Sequence, residues 1–352
     1  MAATPTAESS GRAKRAPTVR AIEFLGRGSL RFAERALAPK RPLVAMEAAG
    51  ICTTDRHIFA GRIPAPAPSV LGHELVGRLE RGGEDLLGDS VRPGDRVLVA
   101  PGIACGRCER CRTGRLACVD RQVYGMTGLD GGFAPMLALA PGTRLYRVSE
   151  DLATAHAVLA EMTACIASGI RKAFGRPMPP PGADVAVLGF GPAGLCAASL
   201  VRWSGTRPLV VERDRRRAAL AARLGFEVTA SPEEPVDVVI ECAGTPAAFA
   251  TALAMLRSQG TLVELGNAAD LGLASVSPSA ICLGDLRVVG SAETLYEDFP
   301  IAIRAVAETP VDLAAAVSHV YPFDAIDDPN ELFERPDGVF KAAIAFEPWR
   351  PQ

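Results

Sequence analysis

The chain of 352 residues holds 34 glycines and 28 prolines in a sequence that is 48% hydrophobic. That combination excludes a collagen or a disordered chain and implies many tight turns in a folded protein of about two domains. Lys and Arg number 38 against 40 Asp and Glu, a net charge of −2, so no overall positive field draws nucleic acid or an anionic membrane, and a small-molecule partner is expected.

Residues 1–17 (MAATPTAESSGRAKRAP) are small, polar and charged. They lack the apolar core of a secretory signal, and no later stretch reaches the roughly 20 apolar residues of a membrane span, so a loose tail and a cytoplasmic location are expected. From Thr18 to Arg147 short β-like runs (VRAIEF, LVAMEAAGIC, HELVGRLE, DRVLVA, FAPMLAL) stand between turn clusters, which predicts a β-rich domain. From Asp151 compact apolar strands (ADVAVLGF, RPLVVE, VDVVIECAG, GTLVELG, LRVVGSA) alternate with Ala/Leu/Arg segments. This texture predicts βαβ units and a parallel sheet covered on both faces. The linker Pro177–Gly182 precedes the first of these strands.

Three constellations carry chemistry. The first is dispersed: Cys52, Thr54 and His57 in one segment, Gly72-His73-Glu74 in another, and Glu161 further on. A catalytic zinc takes three protein ligands from separate segments and leaves a fourth position open. Singly, each residue has an ordinary reading: Cys52 as a buried small hydrophobe, His73 as a hydrogen-bonded core imidazole, Glu161 as a first-turn helix carboxylate. The chain has only 4 histidines, and two of them stand beside Cys and Glu in glycine-marked segments.

The second constellation is Cys105, Cys108, Cys111 and Cys118, flanked by Arg107, Arg110, Arg112 and Arg115. Four thiolates close the tetrahedron that structural zinc prefers, and the arginines offset its charge. An iron–sulfur cluster and free reduced thiols are the alternatives. An odd total of 9 cysteines without an export signal argues against a disulfide framework.

The third is Gly189-Phe190-Gly191-Pro192-Ala193-Gly194, between a strand and a helix. Gly189 permits a tight turn, Gly191 lets the backbone approach a pyrophosphate, Gly194 lets helix and strand pack, and Pro192 and Ala193 open the helix aimed at the phosphates. Glu212 ends the next strand, where a carboxylate accepts hydrogen bonds from the adenosine ribose and favours NAD over NADP. Arg213, Arg215, Arg216 and Arg217 follow it, and guanidinium groups such as those of Arg213 and Arg217 suit a 2′-phosphate.

In this order, GICTTDRH, GHELVG, the cysteine cluster, Glu161, the glycine-rich turn and Gly260-Thr261-Leu262-Val263 resemble the zinc-dependent medium-chain dehydrogenases/reductases of the alcohol dehydrogenase superfamily, and within it the threonine, sorbitol and other polyol dehydrogenases. The resemblance covers Val19 to Phe346. It implies an α/β fold: a GroES-like β-rich catalytic domain at 18–160 and 297–352 with a zinc lobe at 101–120, and a Rossmann doubly wound NAD-binding domain at 161–296. It further implies a catalytic zinc on Cys52, His73 and a carboxylate shared between Glu74 and Glu161, a structural zinc on Cys105, Cys108, Cys111 and Cys118, and a proton relay through Thr54 and His57. The interval from Cys111 to Cys118 is one residue shorter than is usual there, and Met162 stands where proline commonly follows the glutamate.

The implied activity is oxidation of a secondary alcohol, whether polyol, cyclitol or amino alcohol, by hydride transfer to NAD. An NADPH-dependent carbonyl reductase and a non-catalytic NAD(H)-binding protein are the alternatives. A homodimer or homotetramer, joined near Leu286–Gly290, is expected from the resemblance.

Overall fold

The computed structural model describes residues 16–38, 40–83, 86–113, 118–267, 269–334 and 338–349. The tail expected at 1–17 therefore lies almost wholly outside the described residues, as does Arg115 of the cysteine lobe.

The β-rich half is organised around an eight-stranded sheet. Its central strand Leu43–Ile51 is flanked by Glu74–Arg81 on one side and Lys341–Ala345 on the other, with Arg96–Val99 and Arg144–Arg147 beyond. LVAMEAAGI and KAAIA are apolar almost throughout and buried at every position but Ala45, as strands covered on both faces are. Lys341–Ala345 comes from the far end of the chain, so residues after 316 complete this sheet.

The second half is a six-stranded all-parallel sheet. Its order is Glu227–Thr229, Pro208–Val211, Val185–Leu188, Val236–Glu241, Leu256–Glu264, Arg287–Gly290. The first strand in sequence, Val185–Leu188, sits in the middle with its successors to either side. The strand order reverses there, and a ligand crevice opens beyond the carboxyl ends of such strands.

The helix Ala160–Phe174 joins the halves. It ends at Gly175, whose left-handed φ of +70° a side chain would strain. Its buried face belongs to one continuous core that takes in Ala48, Val76 and Leu98 of the first sheet and Val187, Val238 and Val263 of the second. The helix Phe299–Glu308, just past the boundary expected at 297, packs on this helix and on Pro192–Trp203. Where the chain leaves the first sheet, fully buried Arg96 donates to both Glu47 oxygens at 2.6 and 2.7 Å and to the carbonyls of Ser149 and Leu152. Thr154 also donates to Glu47 at 2.5 Å. A buried charge pair satisfied in this way fixes the direction in which the chain enters the linking helix.

Candidate active site

Cys52 caps the helix Thr53–Phe59 with extended backbone, and its N–H donates to Asp55 Oδ2 at 2.8 Å. The other oxygen of Asp55 accepts from the Gly72 N–H at 3.3 Å and lies 3.2 Å from His73 Nδ1, although that nitrogen is not aligned for a hydrogen bond. Completely buried Asp55 thus ties together the two segments that carry Cys52 and His73. Gly72 makes the turn before His73 at φ +95°, and a Cβ there would run into the Phe133 ring. Burial opposes the charged imidazole of His73, but Asp55 and Cys52 outweigh it and hold its pKa well above the usual range.

The two candidate carboxylates have different surroundings. Glu74 is fully buried, and both its oxygens accept from Lys341 Nζ, Oε1 at 2.6 Å. Lys341 also donates to the Ile51 carbonyl at 3.3 Å. Glu161 faces a cavity of about 610 Å³ that Cys52, Thr54 and His73 also line. Burial raises the pKa of Glu161, with His73 acting against that rise. The Cys165 thiol, one helical turn on, donates to Glu161 Oε1 at 3.3 Å and hydrogen-bonds Thr294 Oγ1 at 2.9 Å. Sulfur, imidazole nitrogen and carboxylate oxygen facing one cavity make a donor set that suits zinc.

Cys105, Cys108, Cys111 and Cys118 have donor atoms all within 4.8 Å of one another, the only such group among the described residues. Main-chain N–H groups aim at the sulfurs: Cys105 N at Cys118 Sγ, Cys108 N at Cys105 Sγ and Cys111 N at Cys108 Sγ, at 3.3 to 3.4 Å. The N–H groups of Cys111 and Val119 lower the Cys108 pKa to about 6. The Cys108 sulfur in turn pushes the Cys111 thiol up to about 12, and such a crowd of sulfurs, one favoured as thiolate and one opposed, fits a divalent cation that stabilises the charge of all four. The shorter final interval still brings Cys118 into the group.

Strand Val185–Leu188 delivers Gly189 at φ +88°, where a Cβ would press on Ala243 at 2.7 Å. Gly191 caps the helix Pro192–Trp203, and a Cβ on Gly194 would collide with the Gly189 carbonyl. Gly189, Gly191, Pro192 and Ala193 line a cleft of about 490 Å³ together with Glu212, Arg213 and Arg217, whereas Gly194 lies buried beneath it. Glu212 accepts from the Phe190 N–H at 2.7 Å and from the Asp214 N–H at 2.8 Å, pinning the glycine turn to its own loop. The Arg217 guanidinium hangs over Gly191.

Cys52, Thr54, Met162, Ala193 and Leu265 border both hollows, so cleft and cavity meet at Cys52 and Thr54. His57 stands on the cleft side, three residues after Thr54 on the same short helix. Burial and then the charge of Arg62 lower its pKa. Of the other histidines, His156 Nδ1 bonds the Val306 carbonyl and His319 Nδ1 bonds Ser318.

Asp55, Cys165 and Thr294 belong to the site but to none of the three sequence constellations as ligand or relay. Asp55 carried a signal in its position as third helical residue after an extended Cys52, where a carboxylate reaches back to the cap N–H. Thr294 and Cys165 meet across 129 positions and carried none.

Residues 38–150 match the alcohol dehydrogenase GroES-like domain and residues 192–308 the zinc-binding dehydrogenase domain. The chain is 36% identical over 281 residues to a protein described as an alcohol dehydrogenase of Mycobacterium tuberculosis, covering 71% of this chain and 75% of that one. It is 29% identical over 314 residues to a sorbitol dehydrogenase of Bacillus subtilis, covering 82% and 85%. A solved structure described as a zinc-binding dehydrogenase of Sinorhizobium meliloti bound to NADP superposes with a TM-score of 0.81 at 26% identity, over 94% of this chain and 99% of that one.

Proposed function

The chain belongs to the zinc-type medium-chain alcohol dehydrogenases, and from that premise we propose that it oxidises a secondary polyol, cyclitol or amino alcohol to a ketone with NAD. The observation that carries this reading is the meeting of the dinucleotide cleft with the Cys52, His73 and Glu161 cavity. Cys52, His73 and Glu161 would hold the catalytic zinc, and the lobe cysteines a structural one. When bound, zinc supplies Lewis-acid stabilisation of the charge that develops on a hydroxyl oxygen losing its proton, and the nicotinamide accepts the hydride.

The chain's own groups do the rest. Thr54 borders both hollows and passes the substrate proton outward, and His57, kept neutral at lower pH by burial and Arg62, receives it on the cleft side. Glu161 serves as the carboxylate ligand in preference to Glu74, whose charge Lys341 neutralises. Arg121, Asn267, Glu293 and Thr294 set polar groups into a cavity lined otherwise mostly by apolar side chains, and those groups suit a substrate with several hydroxyl or amino groups rather than a plain monoalcohol.

Glu212 favours NAD. NADP is the second reading, supported by Arg213 and Arg217 on the cleft wall. The edge strand Arg287–Gly290, exposed at every residue but half-buried Val289, supports pairing with a second copy, which sedimentation checks.

A panel of sorbitol, threonine, cyclitols and simple alcohols with each cofactor tests the reading. Turnover of polyols or amino alcohols with NAD supports it; activity confined to primary monoalcohols, or a preference for NADP of about tenfold or more, overturns it. Metal analysis separates the carboxylates: Glu161→Gln should lose the catalytic zinc and keep the lobe zinc, while Glu74→Gln keeps both.

A further inference from the structure

Glu241 and Glu264 end adjacent parallel strands and face each other in register. Glu241 Oε1 accepts the N–H groups of Ala243 and Gly244 at 2.7 and 2.8 Å, and Glu264 Oε1 accepts from the main chain and side chain of Asn267 at 3.2 and 2.9 Å. The second oxygen of each, Oε2, is buried and has no hydrogen-bond partner. Two buried carboxylate oxygens without a donor are costly, and one proton held between them satisfies both.

The loops that follow the two glutamates form the floor of the dinucleotide cleft. Ala243, Gly244, Thr245, Leu265 and Gly266 line it, and the loops touch glycine to glycine: a Cβ on Gly244 would meet the Gly266 carbonyl, and one on Gly266 would meet Glu241 Oε2. Glu264 also lines the adjoining substrate cavity. The carboxylate pair therefore lies directly beneath the seam where cleft and cavity meet.

We propose that Glu241 and Glu264 share one proton and act as a cofactor-positioning pair, clamping the two floor loops together while the proton is present and releasing them when it leaves. The inference rests on the reading that this cleft binds a nicotinamide dinucleotide.

Among the described residues, the groups packed around the pair bring no cation to it. The adjacent Cys242 thiol is held neutral by burial, and Asn267 is uncharged. The register partners on the flanking strands, Leu188 and Gly290, carry no charge. Helix Pro246–Ala254 contributes no titratable group, and Pro192–Trp203 contributes the buried thiol of Cys196 and Arg202, whose guanidinium donates to the Leu224 and Gly225 carbonyls. On the linking helix, Glu161 is bonded to Cys165, and Lys172 is engaged by Ser291 and the Glu293 carbonyl. Glu293 interacts with Arg121 at 3.6 Å. Burial first, and then the charge of Glu264, push the Glu241 carboxyl up to about 7. Dinucleotide lying on the floor loops shields the pair from water and raises the cost of the second negative charge. The bound state therefore keeps the proton, and by linkage a rise in pH weakens binding.

The test is NADH affinity between pH 6 and 9, followed by nicotinamide fluorescence; NADH is chosen because its ring is uncharged. Wild-type dissociation constants should rise at least fivefold over this range. In Glu264→Gln the amide nitrogen donates permanently to Glu241 while the amide oxygen still accepts from Asn267, so the rise should shrink below twofold with the pH 6 affinity kept. Glu241→Gln is the mirror variant and should flatten the profile in the same way, which covers a failure of the first to fold. The infrared carbonyl band of a protonated carboxyl, present at pH 6 and lost at pH 9, should be missing from either variant. A wild-type slope retained in both variants overturns the inference, as does that band unchanged in them. Absence of NADH binding at every pH overturns the dinucleotide reading beneath it, while the infrared band still reports on proton sharing.

Discussion

Asp55 bonds the Cys52 N–H and the Gly72 N–H and stands beside His73, so one buried carboxylate orients two proposed zinc ligands from separate segments. Groups that orient ligands in this way typically matter about 10- to 100-fold in metal affinity, and Asp55→Asn should weaken catalytic zinc by that order in chelator competition. His57 is tuned by what surrounds it. Because burial and Arg62 lower its pKa, the neutral base persists to more acidic pH than a free histidine allows. Arg62→Ala removes one of the two causes, so the acidic limb of kcat/KM against pH should move upward in pH, stopping short of the full shift because burial remains. Residue types with metal and phosphate chemistry were legible at this scale, and the structure brings Cys52 and His73 to one cavity, the lobe cysteines to one cluster and the glycine turn to one cleft. The different surroundings of Glu74 and Glu161 were not legible, because Glu74 is paired with Lys341, 267 positions away.

The strand Lys341–Ala345 closes the first sheet against Ala48–Ile51 and delivers Lys341 to Glu74. Lys341→Met strands a buried carboxylate and should cost about 3–5 kcal/mol in urea unfolding, while adding Glu74→Gln should recover much of that loss. Another cross-chain grip joins the cysteine lobe to the substrate cavity. Tyr296 Oη donates to the Gly102 carbonyl at 2.9 Å and accepts from the Ala104 N–H at 3.0 Å, at the entry to the lobe. Arg121, just past the lobe, pairs with Glu293. Both stems of the lobe thus hold the segment that carries Thr294. Tyr296→Phe should speed amide exchange at Ala104 and lower stability by about 0.5–1.5 kcal/mol. Ser29–Ala36, broken by charges, and the short Lys341–Ala345 stand outside the predicted runs, whereas strands such as Val185–Leu188 read well from sequence because they are continuous apolar runs. The partners of Tyr296 did not, because nothing local to YED encodes a carbonyl 194 residues away.

At the scale of the whole molecule, one core runs from the first sheet through the linking helix into the second. The halves are therefore coupled by packing as well as by the bound cofactor, and a perturbation in the lobe should reach both. Removing the lobe metal with a chelator should lower the melting temperature of the whole chain in a single transition rather than melt the lobe alone, as differential scanning calorimetry would show. The division into a β-rich and a βαβ half was legible from the change of texture near Asp151. The continuity of the core between them was not, since it depends on which faces meet.

The return of Lys341–Ala345 to the first sheet also sets an order of assembly during synthesis. The parallel sheet uses only residues 185–290 and can form as soon as they leave the ribosome, since domains fold largely as units as they emerge. Until residue 345 follows, the edge at Ala48–Ile51, next to Cys52, has no partner and Glu74 has no counterion. An open strand edge invites pairing with other chains, so the nascent protein carries a finished cofactor domain while its metal-binding half still needs protection. A chain released before residue 341 should leave that edge open and aggregate through it.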